Sequence, residues 1–460
     1  YFAGCGGGGS SSGNSNSNTS GSNSAIGVGS AYNINDFDKE YNMFDAKMSG
    51  SFGNFEFHSD QNNNIYITGQ YSMAYLATVG DCTLTFNSTA GESIFLAKFD
   101  SNGVIQFAVS EPWVPQGHLF NCSTIDANGN IIIIGKRTDG DYLFANTYDG
   151  NNGNIISTFN SSSTNSGPLQ AYDVVSDGSG GCYVGGKYSS PVTFGAFNLV
   201  SDANSSHQGF IFHLDNNNNV TWADYVGDIN LSGGYDFVSS LAIDQNDNLL
   251  VGGSIEDGSG CNQYKTFIKQ YSGTGTLLTT LFSDPVNYPQ DPTSGIEINT
   301  DNNGDIYLFT SAAVSLCNPN YVFNSAPLNP VLGTSNILYK IDPLFSHINA
   351  VNFGNGAMTV KQIDILSNND IVLRTETNLS FFLNNILYSQ DISQYNNITQ
   401  LNTNFDFVKF HTLGNDYGYT RAEAITSNNT FLFTLYLREG PFINNGTTHP
   451  SGYYVVKEQY

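Results

Sequence analysis

Polar turns and apolar runs alternate along this chain, and one combination of the two recurs. Residues 126–130 read Asp-Ala-Asn-Gly-Asn, and a β-branched run from Ile131 to Ile134 follows at once. This turn-and-run pair occurs seven times, although the last two turns lack the leading Asp. The runs begin at Ile65, Ile131, Cys182, Leu249, Ile306, Ile371 and Phe431. A mean spacing of about 61 residues predicts a repeat architecture.

Each repeat divides into four predicted strands, which we name A to D. Strand A is an alternating segment such as 241–243, and the Asp/Asn turn leads from it into strand B. A variable loop precedes strand C, for example 94–100, and a second turn such as Ser101-Asn102-Gly103 returns the chain as strand D. Asn-Gly between apolar runs is typical of tight hairpins, because both turn positions need positive φ.

Seven units of four antiparallel strands predict an all-β fold, a seven-bladed β-propeller. A stack of parallel coils would need much shorter units, and a two-sheet sandwich would not need seven copies. The seventh repeat ends after its strand C, 453–457, so its strand D is missing. Residues 39–44 precede the first strand A at the distance a strand D would occupy. We therefore expect an N-terminal strand to complete the last blade, beside Tyr454.

The turn before Ile65-Tyr66-Ile67-Thr68-Gly69, together with the Phe95-to-Asp100 run, resembles the β-propeller repeats of bacterial secreted and surface proteins. The resemblance covers roughly residues 38–460 and weakens in the last two repeats. It implies a propeller fold and an extracellular or cell-surface location, and no activity comes with it.

Charge and composition limit the kinds of binding partner that the chain is expected to have. A net charge of -25 disfavours nucleic acid and anionic lipid surfaces and leaves cations as better partners. There is no apolar run of about 18 residues that would span a membrane. Charged residues make up only 12% of the chain, so the predicted surface is polar but largely uncharged.

The N-terminal residues 1–30 are almost entirely Gly, Ser and Asn, a composition typical of a flexible linker. We divide the chain into this tail or assembly arm and a propeller at 31–460. The start at Tyr1 suggests removal of a secretory signal, and Phe2 to Cys5 is similar to a bacterial lipobox, which leaves lipidation of Cys5 as an alternative to a plain linker.

Six cysteines fit an oxidising compartment. Loop positions in the propeller predict two disulfides, Cys82 to Cys122 and Cys261 to Cys317. Cys182, inside a strand B, is expected to be a buried free thiol.

No set of residues points to catalysis or to a cofactor. The seven histidines form no zinc-like spacing, and no Gly-x-Ser-x-Gly elbow is present. Turns such as Asp301, Asn303 and Asp305 have the oxygen ligands of a calcium loop, but tight turns need the same residues. We expect turn chemistry, no resident cofactor and, at most, weak calcium binding.

Two surface features remain open. Trp113 and Trp222 could stack on a sugar, although Trp222 in a strand D is expected to pack between blades. Eleven Asn-x-Ser/Thr sequons occur, close to the chance number for this composition. The candidate glycosylation sites are Asn87, Asn121, Asn160, Asn204, Asn230, Asn378, Asn397 and Asn445.

Three functions compete at this point. We expect first a non-enzymatic structural or adhesive surface protein, including a homo-oligomer or filament assembled through its N-terminal arm. The alternative is a propeller module that binds carbohydrate or protein through its variable loops. A secreted polysaccharide hydrolase or lyase ranks last, because no acid, base or metal cluster stands out, so the expectation is that the chain is not an enzyme.

Overall fold

A computed structural model describes the chain in short stretches that follow the repeats. Every element in the described stretches is a β-strand, so they contain no helix that could cross a membrane. The described residues are 42–43, 48–49, 51–72, 77–84, 92–111, 118–137, 142–163, 168–201, 207–227, 235–256, 263–283, 286–287, 296–314, 322–323, 326–327, 333–346, 348–353, 358–377, 381–383, 386–389, 395–412, 420–425, 430–437, 442–444, 447–449 and 452–459.

Strands A to D follow one another in each of the first six repeats and pair antiparallel in that order. Repeat 1 comprises Ser51–Ser59, Ile65–Ser72, Glu92–Phe99 and Ile105–Ser110. Repeat 2 comprises His118–Ile125, Ile131–Arg137, Tyr142–Tyr148 and Ile155–Asn160. Repeat 3 comprises Leu169–Ser176, Cys182–Tyr188, Gln208–Leu214 and Val220–Val226. Repeat 4 comprises Phe237–Ile243, Leu249–Glu256, Gln263–Tyr271 and Leu277–Phe282. Repeat 5 comprises Glu297–Thr300, Ile306–Val314, Gly333–Ile341 and Ile348–Asn352. Repeat 6 comprises Met358–Ile365, Ile371–Thr377, Tyr395–Leu401 and Phe407–Thr412. Val286–Asn287 joins repeats 4 and 5 into one nine-stranded sheet.

Repeat 7 has three strands of its own, Thr420–Ile425, Thr430–Leu437 and Gly452–Gln459. The N-terminal strand Asn42–Met43 pairs antiparallel with the last of them, Asn42 opposite Lys457 and Met43 opposite Val456. The predicted pairing of the two chain ends is therefore confirmed. Met48–Ser49 continues this sheet to the hairpin Thr78–Val79 and Cys82–Thr83.

Small accessory hairpins occupy several of the loops between strands B and C. They are Val192–Phe194 with Phe197–Leu199, Val322–Phe323 with Ala326–Pro327, Phe381–Leu383 with Ile386–Ser389, and Phe442–Asn444 with Thr447–His449. A further two-residue strand, Ser162–Ser163, pairs with Val192–Phe194. These loops are the variable part of the repeat, as the sequence pattern indicates.

The Asp turns form because one carboxylate satisfies the backbone of the whole turn. In the turn between strands A and B of repeat 2, Asp126 Oδ1 accepts the backbone N–H groups of Asn128 and Asn130, both at 2.8 Å. Asp126 Oδ2 accepts the Asn130 side-chain amide at 2.9 Å, and Gly129 supplies the positive φ of 79°. The turn between strands C and D uses the same device, with Asp100 Oδ1 accepting the N–H groups of Asn102 and Val104. Both turns are thus fixed locally.

The sheets pack against one another, so neighbouring repeats share most of the core clusters in the described residues. One cluster combines Ile134, Leu143 and Val184 from repeats 2 and 3, and another combines Leu308 with Leu250 from repeats 5 and 4. Strands B and C of repeat 2 are nearly fully buried, whereas strand D carries exposed residues, such as Ile156 in repeat 2 and Val408 in repeat 6. The apolar drive for folding is therefore concentrated between repeats.

Among the described strands, the A strands of six pairs of repeats lie side by side. These contacts run from repeat 7 to repeat 1 and onward in order to repeat 6. The shared cores and this order of adjacent strands make the structure a β-propeller-like all-β fold.

Side chains from one repeat also donate hydrogen bonds to the turn between strands C and D of the next repeat. Lys98 Nζ donates to the Gly150 carbonyl at 2.6 Å, Trp222 Nε1 to the Gly273 carbonyl at 3.0 Å, and Lys340 Nζ to the Thr403 carbonyl at 3.4 Å. Trp222 is 8% exposed and its ring stacks 6.1 Å from Tyr271. The prediction that Trp222 packs between repeats is confirmed.

The cysteine predictions divide. Cys122 and Cys182 are both free and buried, in the core shared by repeats 2 and 3, so the buried thiol predicted at Cys182 is confirmed. The predicted Cys82 to Cys122 disulfide is wrong. Cys82 is disulfide-bonded, but not to Cys122. Cys122 lies inside strand A, and its side chain packs in the core. Cys261 and Cys317 lie outside the described residues, as do Cys5, Trp113 and the segment 1–30.

Candidate functional site

Acidic side chains from the innermost strands form the most unusual group in the described structure. Glu56, Asp173 and Glu297 occupy the same register on strand A of repeats 1, 3 and 5, since each lies opposite the fourth residue of its strand B. A β-bulge next to Glu56 and another next to Asp173 interrupt the regular alternation of the strand. Bulges of this kind re-aim a side chain. Asp364 lies two residues nearer the turn in repeat 6.

Three of these four carboxyls are hydrogen-bonded to a neighbouring repeat. Glu56 Oε2 accepts the backbone N–H of Ser123 at 2.6 Å and its hydroxyl at 2.7 Å. Asp173 Oδ2 accepts the backbone N–H of Leu241 at 2.6 Å. The Ser240 hydroxyl donates to Glu297 Oε2 at 3.3 Å. The acids therefore connect repeat 1 to 2, 3 to 4, and 5 to 4.

Electrostatic contacts also join repeats that are not neighbours. The charge of Asp173 in repeat 3 raises the pKa of Glu56 in repeat 1 and that of Glu297 in repeat 5. Repeats 2 and 4 lie between these pairs along the sequence of adjacent A strands. The acids of repeats 1, 3 and 5 are therefore close enough to interact electrostatically. We call Glu56, Asp173, Glu297 and Asp364 the central acidic cluster.

Burial dominates the protonation of the central acidic cluster. It raises the pKa of Glu56 to about 8, of Asp173 to about 6 and of Asp364 to about 7, and it raises the pKa of Glu297 well above the usual range. Arg374, on strand B of repeat 6, partly offsets this at Glu297 and Asp364. The cluster therefore holds protons near neutral pH that ordinary carboxyls would have lost.

Glu56 and His58 differ in exposure. The Glu56 side chain is 34% exposed, compared with 15% for the adjacent His58. Burial lowers the pKa of His58 to about 4, which leaves its ring neutral beside the Ser123 hydroxyl.

The chemistry of the cluster suits a ligand that donates hydrogen bonds or carries positive charge. Three His, Cys, Asp or Glu side chains placed to hold a metal ion do not occur together anywhere among the described residues. A guanidinium or ammonium group needs less: two or three carboxyl oxygens around one cavity. The acidic cluster provides oxygens of this kind from several repeats.

The turns that could be read as calcium loops use their oxygens within the protein. Asp301 Oδ1 accepts the N–H groups of Asn303 and Asp305, both at 2.9 Å, and Asp301 Oδ2 accepts the Tyr307 hydroxyl at 3.2 Å. Asp305 forms an ion pair with Lys340 at 2.9 Å. The expectation that these residues serve turn chemistry is confirmed.

The sequons fall in contrasting places. Asn160 is exposed at the end of strand D in repeat 2, whereas Asn121 lies on strand A and its side-chain oxygen is buried. Asn397 lies within strand C of repeat 6. The other candidate sites, Asn87, Asn204, Asn230, Asn378 and Asn445, lie outside the described residues.

Sequence reasoning did not find the central acidic cluster. A signal was available, because Glu56, Glu297 and Asp364 each stand between two apolar residues in a strand that lines the interior. An acid in such a position is costly unless it is bonded or protonated. The grouping of these acids depends on how the repeats are placed relative to one another, which the sequence of a single repeat does not show.

Comparison with known proteins gives similarity in fold alone. No protein-family model and no curated protein matches the chain. Among solved structures, puromycin hydrolase has 10% identity and a TM-score of 0.46, over 90% of this chain and 52% of that chain. This chain thus spans about half the length of that hydrolase. A luciferin-regenerating enzyme has 11% identity and a TM-score of 0.33, over 90% of this chain and 96% of that one. A member of the DUF4221 family from Bacteroides vulgatus has 10% identity and a TM-score of 0.37, over 92% and 97% of the two chains.

These similarities correct one expectation. The chain was expected not to be an enzyme, but two of the similar structures are named as a hydrolase and a luciferin-regenerating enzyme. The fold therefore gives no ground for excluding catalysis, and the exclusion drawn from the sequence is withdrawn.

Proposed function

We propose that the seven repeats close into a seven-bladed β-propeller with the central acidic cluster on its axis. The A strands of repeats 7, 1, 2, 3, 4, 5 and 6 are adjacent in that order, which supports a ring. The pairing of Asn42 with Lys457 supports closure, because it supplies the strand that repeat 7 lacks.

Within this ring the protein is a binding module whose central cavity takes a small ligand with a guanidinium or ammonium group. The observation that carries the proposal is the shared register of Glu56, Asp173 and Glu297 on the A strands of repeats 1, 3 and 5. After burial, the charge of Asp173 is a further cause that raises the pKa of the other two acids. A guanidinium or ammonium group donates hydrogen bonds, and carboxyl oxygens from several repeats are placed to accept them. Charge-assisted bonds of this type contribute about 1.5–3 kcal/mol each.

Ligand binding is coupled to proton release in this proposal. The carboxyls of Glu56 and Asp364 carry protons near neutral pH because burial raises their pKa values to about 8 and 7. A cationic ligand favours the ionised carboxylates, so it displaces protons as it binds. Affinity therefore increases as the pH rises from 6 to 8.

Isothermal titration calorimetry with agmatine, which carries both cationic groups, tests the proposal. We expect binding that strengthens between pH 6 and pH 8 and weakens at least about tenfold in Glu56→Gln and Asp173→Asn. Asp215→Asn, which removes one charge from an exposed turn, is the matched control and should bind as the parent does. A neutral urea of the same length should not bind.

Two results would overturn the proposal. One is agmatine binding that survives unchanged in the Glu56→Gln, Asp173→Asn double variant. The other is no binding by agmatine, spermidine or Ca²⁺ at pH 8, with the protein folded. Calcium is included because weak binding of that ion to the acidic surface is an expectation from the sequence.

We further propose an extracellular or cell-surface location for this module, and its cysteine chemistry supports that location. Cys82 is disulfide-bonded, and disulfides persist mainly in oxidising compartments. This supports an extracellular or cell-surface protein. The sequons and the uncharged surface are compatible with a glycosylated protein. Asn160 is exposed, so it is the first position at which to look for an attached glycan.

A second candidate function is assembly into a filament or an adhesive layer through the N-terminal segment 1–30. One observation favours it. Strand D of repeat 4, Leu277–Phe282, pairs on one side only among the described strands and exposes Leu277, Leu278 and Phe282 by 48%, 50% and 42%. An exposed apolar edge strand can accept an added strand. A chain that begins at Ala31 should then remain folded but stay monomeric in sedimentation; normal assembly of that chain would end this candidate.

A further inference from the structure

A chain of hydrogen bonds on repeat 3 joins a hydroxyl, an imidazole and a carboxylate. Thr221 Oγ1 lies 2.6 Å from His213 Nδ1, and His213 Nε2 lies 2.9 Å from Asp177 Oδ2. His213 is on strand C, Thr221 is on strand D, and Asp177 begins the turn between strands A and B. The site is separate from the central acidic cluster, since it lies at the turns of the repeat.

The hydrogen bonds select one tautomer of the neutral His213 imidazole. Burial would raise the pKa of Asp177, but the bonds from His213, Ser179 and Gly181 outweigh it and hold this pKa below its usual range. The ionised Asp177 can only accept, so His213 Nε2 carries the proton that it donates. In the neutral tautomer that this bond selects, His213 Nδ1 is the acceptor and the Thr221 hydroxyl donates to it. A hydroxyl beside an unprotonated imidazole nitrogen is the arrangement of an activated nucleophile.

Neighbouring groups hold these side chains in place. The His213 ring lies 4.6 Å from the ring of Tyr183 and 6.4 Å from that of Trp222. The backbone N–H groups of Ser179 and Gly181 fix Asp177 through its Oδ1. Thr221 itself is exposed, so a reagent in solution can reach its oxygen. The base is therefore oriented in advance, and the nucleophile is accessible.

Other repeats show what the structural role alone requires. At the position of His213, Gln270 donates to Asp244 Oδ2 at 2.6 Å, and Gln400 donates to Asp370 Oδ2 at 2.7 Å. A glutamine thus suffices to clamp strand C to the turn. At the position of Thr221 these repeats have the exposed residues Leu278 and Val408. Repeat 3 is different in having an imidazole and a hydroxyl together.

We propose that Thr221 and His213 form a nucleophilic centre that reacts with carboxylic esters, with Asp177 as the positioning residue. Thr221 Oγ1 forms a bond to the acyl carbon, and the bond from that carbon to the leaving alcohol oxygen breaks. The hydroxyl proton moves to His213 Nδ1 and from there to the departing oxygen. The products are an acyl ester of Thr221 and the free alcohol.

The full chain treated with p-nitrophenyl acetate provides the test. We expect release of p-nitrophenolate and an added acetyl group on the peptide that contains Thr221, located by mass spectrometry. Thr193 is the internal control, because its hydroxyl bonds to the Asn198 amide oxygen at 2.6 Å rather than to an imidazole. Thr193 should remain unmodified.

Three variants separate chemistry from structure. His213→Gln keeps the clamp found in repeats 4 and 6, so its melting temperature should match the parent while acetylation slows at least about 100-fold. Thr221→Val should abolish the modified peptide. Asp177→Asn should shift the pH dependence of the acetylation rate, which a purely structural role would not do. Equal acetylation in His213→Gln and the parent, or labelling of Thr221 no faster than of Thr193, would overturn the proposal.

Discussion

Glu56 accepts two hydrogen bonds from Ser123, one from its backbone N–H at 2.6 Å and one from its hydroxyl at 2.7 Å. The two residues lie on strand A of adjacent repeats, so their bonds cross the boundary between two sheets. His58 and Thr68 also contact the same hydroxyl, at 2.6 Å and 2.7 Å. One serine oxygen thus connects three side chains of repeat 1 to repeat 2.

Ser123→Ala should destabilise the protein. The substitution leaves Glu56, His58 and Thr68 each without one partner in a buried place, and such losses cost about 1–3 kcal/mol. Urea unfolding followed by tryptophan fluorescence measures the free energy of unfolding. Ser157→Ala in the same repeat is the control, because the buried Ser157 hydroxyl has no hydrogen-bond partner and its removal should cost little. Equal stability of the two variants would contradict the role given to Ser123.

Stability should fall as the pH rises from about 5 to 8.5. Burial raises the pKa of Glu56 from 4.5 to about 8 and that of Glu111 from 4.5 to about 7. A group with a raised folded pKa stabilises the fold fully below its unfolded pKa and loses that contribution as the pH passes its folded pKa. We expect a melting temperature at least about 3 °C lower at pH 8.5 than at pH 5.

Below about pH 4 the stability should change in the opposite direction and fall as the pH decreases. Hydrogen bonds from His213, Ser179 and Gly181 outweigh the effect of burial and lower the pKa of Asp177, so its contribution is lost below about pH 4. Differential scanning calorimetry should therefore find maximum stability near pH 4–5. Glu56→Gln should flatten the decline between pH 5 and 8.5. A profile that rises with pH over that range would show that the central carboxyls are already ionised.

Features formed within one repeat were predictable from the sequence, whereas interactions between side chains of different repeats were not. The turn at Asp126 depends on hydrogen bonds within five residues, so its chemistry is visible in the sequence. The strand at Asn42 was predictable because repeat 7 lacks a strand. The electrostatic effect of Asp173 on Glu56 depends on how three repeats are placed relative to one another, which the sequence does not show. The wrong disulfide at Cys122 has the same origin, because the pattern did not show which residues of 118–125 face the core.

Removing a turn carboxylate should cost more than neutralising it. Asp126 Oδ1 accepts the N–H groups of Asn128 and Asn130, and an amide oxygen at the same place could still accept both. Asp126→Ala leaves two backbone donors without partners and should cost about 1–2 kcal/mol, similar to the loss of a helix cap. Asp126→Asn should retain most of that stability. Urea midpoints of the two variants make the comparison, and equal midpoints would show that the carboxylate does not hold the turn.

Trp222→Phe should weaken the boundary between repeats 3 and 4. The indole N–H donates to the Gly273 carbonyl at 3.0 Å, and phenylalanine cannot replace that donor. The carbonyl then loses a partner next to an 8%-exposed side chain, and the stacking on Tyr271 is reduced. Together these changes should cost about 1–3 kcal/mol in the free energy of unfolding.

Tyr225→Phe on the same strand is the matched control for Trp222→Phe. Its ring is 37% exposed, so loss of its hydroxyl should change stability by no more than about 0.5 kcal/mol. Because the first substitution removes one of only two tryptophans, far-ultraviolet circular dichroism is the better probe of unfolding. Native-state hydrogen exchange should then locate the loss. Faster exchange confined to repeats 3 and 4 is the expected result, since the bond joins the turn of repeat 4 to a strand of repeat 3. Exchange raised equally in all repeats would mean that the boundary opens only when the whole fold opens.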